Sequence, residues 1–298
     1  MVSASGQSPT WQQSGLFFLS LLSLSQAANL VRLAEAPPDV IGFWRLTSAA
    51  LILFGIARWR TGTWLPPKLS QSALFSGFWS GAFFFAHLWT YFYAAQNTLI
   101  ANSMILFAIN PLFTAGLSIW LLKETFALRL AIAYLFAFSG VYLLVEAHWN
   151  STLQAGNLSA LASALLYSLY LICGKRARAE MSNWHFTSMA YAVAATAFFI
   201  SGTSQGLSWT EYPLKTWLAI AGTVALPTLL GHVIFTHLLG SLNINWMSCG
   251  KLTEPAMSAA VAYLLFGENL SAKTLMAFAL TTMAVLALYQ PWTWIRKV

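Results

Sequence analysis

A chain of 298 residues that is 58% hydrophobic and only 8% charged, with mean hydropathy +0.65, carries too little charge for a soluble globular domain, where about a quarter of residues are charged. The formal charge of +7 does not indicate nucleic acid, because the basic residues are scattered at helix ends and form no single patch. Cys173 and Cys249 stand inside apolar runs without metal-ligand spacing, which argues against a disulfide framework and a zinc site and leaves two buried thiols.

The composition predicts an all-α integral membrane protein whose length accommodates roughly ten spans of about 20 residues, with no separate soluble domain. Residues 1–13 lack a basic segment ahead of the apolar run, so the first helix is read as retained and 1–13 as a cytoplasmic tail. A first five-helix unit occupies 14–146, with helices near 14–34, 39–57, 71–94, 98–122 and 126–145. Pro37-Pro38 ends the first of these, and Asp39 suits the start of the second. A second unit occupies 157–290, with helices near 157–174, 184–201, 214–239, 245–266 and 271–289, and 291–298 is a cytoplasmic tail.

Charge assigns the faces. Arg58, Arg60, Lys68, Lys123, Arg129, Lys175, Arg176, Arg178, Arg296 and Lys297 fall on the side that holds both termini, against Arg32, Lys215 and Lys273 on the other. This bias places both termini in the cytoplasm. Five helices are an odd number, so the second unit enters from the opposite face and the two repeats are inverted.

The organising stretch is 245–268, where Lys251, Glu254 and Pro255 interrupt an apolar run that Gly267-Glu268 closes. Glu254-Pro255 stands 144 residues after Asn110-Pro111, and Gly267-Glu268 stands 144 after Lys123-Glu124, without a gap. The chain thus contains two copies of a proline-broken helix with a polar residue just before the proline, a pattern that points to a transporter binding site. Pro111 and Pro255 each free a backbone carbonyl four residues back, which is tolerated at membrane depth where it lines a cavity or is buried in protein.

Each polar residue inside a span has two readings. Glu254 with Lys251 is either a substrate-amine or proton-coupling site, in which Lys251 holds its charge or receives a substrate carboxylate, or an i,i+3 ion pair that locks the helix. Asn110 bonds a substrate or a neighbouring helix. Arg45, following Trp44 in the second helix, meets an anionic group or Glu254, or else snorkels or pairs with Asp39. Gln26 and Asn29 share a face of the first helix and line the cavity or pack helices. His87, Tyr91 and Tyr93, with His232 and His237, form two sets related by the repeat, suited to a proton relay, to cavity lining or to packing hydrogen bonds. Nine of the fourteen tryptophans, among them Trp11, Trp59, Trp149, Trp184, Trp209, Trp292 and Trp294, fall at helix ends as an interfacial belt; Trp44 and Trp79 are interior.

The paired segments Asn110-Pro111-Leu112-Phe113 … Leu122-Lys123-Glu124 and Glu254-Pro255 … Leu265-Phe266-Gly267-Glu268 resemble the drug/metabolite transporter superfamily with two EamA-type domains. Arg45 also resembles an arginine often found in that helix of the family. The resemblance spans nearly the whole chain and implies a ten-helix inverted-repeat bundle around a central cavity, moving amino acids, nucleotide-related metabolites or other small solutes, commonly outward. Two departures narrow it. The first helix lacks the membrane glutamate of small multidrug-resistance relatives, and Asn110 stands where exporters of aromatic amino acids often have tryptophan.

The resulting expectation is a secondary carrier in the bacterial inner membrane that exports a small polar metabolite such as an amino acid. Its partners are a small-molecule substrate and the lipid bilayer, with no nucleic acid, and it acts as a monomer or weak dimer. No cofactor and no metal are expected, and proton coupling is compatible. Uptake of a nucleotide-related or sulfonium metabolite and multidrug export are the alternatives. A membrane-embedded enzyme is disfavoured, since neither a His-Glu-x-x-His nor a Gly-x-Ser-x-Gly spacing occurs.

Overall fold

The computed structural model of the chain describes residues 10–64, 68–122, 128–147, 152–238 and 250–289. The expectations on Lys123-Glu124, Asn245, Cys249, Trp149, Trp292, Trp294, the C-terminal tail and the side chain of His237 lie outside this description. The described residues are helical throughout, with no strand among them.

A capping box, in which Thr10 and Gln13 exchange side-chain and backbone hydrogen bonds of 3.2 and 2.9 Å, starts helix α1 (Trp11–Ser25), ahead of the expected start at 14. The predicted first helix is in fact two pieces, because Gln26 separates α1 from α2 (Ala27–Ala34). The Ser20 and Ser25 hydroxyls bond back to the carbonyls of Phe17 and Leu22, and the Gln26 amide also reaches Leu22, the kind of local competition that bends helices. Pro38 opens α3 (Pro38–Thr61), which Gly62 ends at φ +75°. Next come α4 (Gln71–Asn97), α5 (Ile100–Phe107), α6 (Asn110–Leu122) and α7 (Leu128–Ala147). Then follow α8 (Gln154–Ala177), α9 (Asn183–Ser204) and α10 (Leu214–Thr223), which runs into a π-helical stretch at Val224–Val233 and the short α11 (Ile234–Leu238). A 3₁₀ turn at Lys251–Thr253 leads into α12 (Glu254–Phe266), and α13 (Ala272–Tyr289) ends the description.

Among the described residues, six segments are long and apolar enough to cross a membrane: Trp11–Leu33, Pro38–Thr61, Ile100–Leu117, Gln154–Ala177, Asn183–Ser204 and Leu214–His232. Shorter apolar helices at 131–143, 254–266 and 272–287 accompany them. Many large apolar side chains, such as Phe18, Leu51, Phe75, Phe138, Ile200 and Leu264, face outward, as a lipid-facing surface requires.

Three helix pairs carry the packing: α4 along α8, α3 along α9, and α7 along α13. The main core joins α2, α3, α4 and α9, with Phe92 and Phe198 fully buried at its centre. Helices approach closely where small residues allow it. A β-carbon on Gly81 of α4 would stand 2.6 Å from Cβ of Val193 and 3.0 Å from the Ala190 carbonyl oxygen of α9.

Both ends of the bundle are tied. At the end where α3 begins, Arg32 donates from Nε to the Ala95 carbonyl at 2.7 Å, from Nη2 to the Thr98 carbonyl, and from Nη1 to Glu268. Glu268 accepts in turn from the Ile100 backbone N–H at 2.8 Å, capping α5, and Arg32 lies over the Phe266 ring. This network fastens α2, α5, the turn after α4 and the end of α12 to one another. The exposed Lys215–Glu35 pair beside it contributes little. At the opposite end Glu180 accepts from Ser70 Oγ at 2.7 Å and from its backbone N–H at 2.9 Å, bonds that hold the Glu180 carboxyl below its ordinary value.

Arg32→Ala leaves the Glu268 carboxylate largely buried without its cation and is expected to destabilise the protein by about 3 kcal/mol, read as a lower midpoint of thermal unfolding in detergent. Gly81→Ala forces α4 from α9 and is expected to cost about 1–3 kcal/mol in the same assay.

Candidate functional site

Three prolines shape the interior. Pro111 deprives the Phe107 carbonyl of its helical donor, and the Asn110 side-chain amide takes that place at 3.0 Å. Pro255 deprives the Lys251 carbonyl, which accepts the Glu254 backbone N–H across the 3₁₀ turn. Pro227 lies inside the π-helical stretch, whose wider winding bonds carbonyls five residues on and so passes over the missing N–H, and Thr228 Oγ1 donates to the Thr223 carbonyl at 2.9 Å. The first two breaks coincide with the sequence-predicted prolines. The third falls where an unbroken helix over 214–239 was expected.

A cavity of about 430 Å³ opens between α1, α3, α9 and the π-helical stretch. Arg60, Asn183 and Trp184 stand at its mouth, at the end where α3 finishes. Thr187, Leu53, Tyr191, Thr228 and His232 continue inward. The mouth is thus at the opposite end of α3 from the Arg32–Glu268 network, a helix length of about 36 Å away at 1.5 Å per residue.

Behind the cavity wall lies a charged cluster. Arg45, 4% exposed, donates from Nε to Thr228 Oγ1 at 3.3 Å and lies 5.7 Å from the centre of the Phe92 ring, and its Nη1 is buried with no hydrogen-bond partner. It is within electrostatic reach of Tyr91 and Tyr191, and Tyr91 is in turn within reach of Glu254. Lys251 Nζ stands 4.0 Å from Glu254 Oε1 and over the Phe235 ring; that carboxylate oxygen is buried without a hydrogen bond. His232 is within electrostatic reach of Lys251, Arg45 and His87. The fold therefore gathers Arg45, His87, Tyr91, His232, Lys251 and Glu254, drawn from α3, α4, the π-helical stretch and the start of α12, into one region.

His87 and Tyr91, at the edge of this region, are bonded to neighbouring helices, and the remaining candidates lie elsewhere. His87 Nδ1 sits 2.8 Å from Ser163 Oγ in the α4–α8 seam, among Phe107 and Tyr167. Tyr91 donates to Met104 Sδ at 3.1 Å. Asn29 Nδ2 meets Gln26 Oε1 at 3.1 Å and the Ser258 carbonyl at 3.1 Å, so this pair ties the first helix to α12. Trp44 donates to the Trp209 carbonyl at 2.8 Å and packs on Trp217, in an aromatic group near the start of α3. Thr228, Tyr191, Thr187 and Asn183 line the cavity without having been singled out from the sequence. Pro227 was the available signal for Thr228, while nothing in the sequence marks Tyr191.

Helices of membrane-crossing length, polar groups clustered in the interior and a cavity leading toward them define a multi-pass membrane protein built to admit a solute. The chain belongs to the EamA-like transporter family, whose model matches residues 13–146 and again 154–290. Among curated relatives, an uncharacterized transporter of Archaeoglobus fulgidus is 24% identical over 200 residues, 66% of this chain and 70% of its own length. An uncharacterized transporter of Pseudomonas aeruginosa is 26% identical over 260 residues, 84% of this chain and 81% of its own. A protein of known crystal structure superposes with a TM-score of 0.65 at 15% identity, covering 93% of this chain and 96% of its own, and so shares the fold. The protein is a transporter and not an enzyme.

A cysteine at Thr187, in a background where Cys173 and Cys249 are serine, is expected to react with a membrane-impermeant maleimide from one side of sealed vesicles only. A cysteine at the fully buried Ser163 is expected to remain unlabelled from either side.

Proposed function

We propose that the protein is a secondary carrier that exports a small polar metabolite, such as an amino acid, from the cytoplasm by alternating access. In this reading it sits in a bacterial inner membrane with both termini inside, as ten spans in two inverted five-helix units over 14–146 and 157–290. The family match in two consecutive blocks supports the paired units. Joining the pieces on either side of Gln26, of Asn110 and of the π-helical stretch supports the count of ten.

The observation that carries the reading is the contrast between a partly buried ion-pair network at one end and, at the other, a cavity beside the exposed Ser70–Glu180 tie. The cavity mouth lies among Arg60, Asn183 and Trp184, on the side that the distribution of basic residues makes cytoplasmic. The other end is held shut by Arg32 of the first unit on Glu268 of the second. A solute entering from the cytoplasm meets Tyr191, Thr228 and His232, with Arg45, Lys251 and Glu254 beyond them. Rocking one unit against the other would then close the mouth and part Arg32 from Glu268.

Glu254 is the group assigned to the substrate amine or to a coupled proton, with Lys251 as its charge partner. A buried carboxylate oxygen held 4.0 Å from an ammonium and otherwise unbonded is an expensive way to lock a helix, which favours the functional reading over a plain ion pair. Glu254→Gln is expected to insert and purify like the parent and to lose transport, or its dependence on a proton gradient, in reconstituted liposomes. Undiminished coupled transport by that variant sinks the assignment.

A further inference from the structure

We infer that Arg45 and Thr228 form an anion site at the inner end of the cavity and that the transported solute carries a carboxylate, which this site binds. The inference rests on the carrier reading but on residues separate from the Lys251–Glu254 pair.

The argument begins with an unbalanced charge. Arg45 is always protonated and 4% exposed, yet among the described residues no carboxylate lies within ion-pair distance of it. Its surroundings are the Phe92 ring, Tyr91, Tyr191 and the Thr228 hydroxyl, none of which brings a negative charge at neutral pH. Lys251 and Glu254 offset each other, so the interior cluster has a net positive charge. A buried guanidinium without a counter-anion, and with Nη1 unbonded, is among the costlier arrangements a protein maintains. A buried polar group left unsatisfied in this way calls for an explanation. A ligand anion supplies both the missing charge and the missing acceptor.

Arg45 does not itself line the cavity, and Thr228 is the link between the two. Thr228 is shared: it lines the cavity, and its oxygen receives Arg45 Nε. The Thr228 proton is given to the Thr223 carbonyl, which leaves the oxygen to act as the acceptor for Arg45. The guanidinium is thereby held by one edge immediately behind the cavity wall, with Nη1 uncommitted. A carboxylate is a planar acceptor matched to a guanidinium fork. An amine or a quaternary ammonium would meet repulsion at the same point, which sets this site against a cationic-drug cargo.

The test uses the full-length protein in detergent and matched pairs of probes: L-amino acids and short monocarboxylates, each beside its primary amide and its methyl ester. Thermal stabilisation and isothermal titration are expected to show binding by acids and none, or at least about tenfold weaker binding, by the corresponding amides and esters. Arg45→Lys is expected to weaken the acids by at least about tenfold, and Thr228→Val, which frees the edge of the guanidinium, to weaken them to a lesser degree. The acid–amide comparison needs no variant and stands even where Arg45→Lys folds poorly. Amides that bind as well as acids overturn the site, as does a panel in which no carboxylate stabilises the protein, or undiminished acid binding by a folded Arg45→Lys. Carboxylate binding without movement of the bound solute into liposomes would leave the site standing and overturn the carrier reading instead.

Discussion

In hydrocarbon a backbone carbonyl that loses its helical donor has no water to turn to, and the interior of this protein is organised by that constraint. Pro111 and Pro255 each orphan one carbonyl, capped within a few residues by the Asn110 amide and by the Glu254 N–H, while at Pro227 the helix widens and the Thr228 hydroxyl bonds the Thr223 carbonyl. The capping groups are then committed, and their remaining bonds point elsewhere. Asn110 is occupied with its own helix, its backbone carbonyl accepting from Thr114 and Ser168, and so becomes a joint between α6 and α8. Thr228 turns its oxygen to Arg45. Glu254 uses its backbone and keeps its side chain available.

The same constraint separates structural from functional polar groups. Several buried polar side chains in the seams are bonded across them: His87 with Ser163, Thr98 with Asn157, Ser80 with the Tyr170 carbonyl. Among the buried atoms left without a hydrogen bond, which include Asn157 Nδ2 in a seam and Asp39 Oδ1 near the start of α3, Arg45 Nη1 and Glu254 Oε1 belong to ionisable groups in the interior cluster. Polar groups that hold helices together are worth about 0.6–2 kcal/mol each.

The two ends of the bundle differ in kind. Arg32 and Glu268 join parts of the chain far apart in sequence through a partly buried network that also caps α5. The Ser70–Glu180 bonds at the other end also join residues far apart in sequence but are exposed. A strong closure at one end and a cavity mouth at the other is the arrangement expected of one state of a two-state carrier.

Composition and spacing by themselves determined that the chain is helical and membrane-embedded, and the paired Asn110-Pro111 and Glu254-Pro255 marked two of the three interruptions at prolines, because proline acts locally through its missing N–H and needs no tertiary context. They also named six residues that the fold brings together. The break at Gln26 stayed hidden because serine and glutamine act through side-chain bonds that compete weakly with a helix, and their outcome depends on the neighbours. Pro227 was readable as a breaker, but only its surroundings decided that the helix would widen and continue. Which polar residues face the cavity and which face a seam was decided by tertiary structure alone: helical periodicity fixes the angle between side chains on one helix, whereas the helix that meets each face is set by packing between segments distant in sequence. Hence His232 lies on the cavity wall while His87 lies in the α4–α8 seam, and Tyr191, unremarkable in the sequence, lines the path.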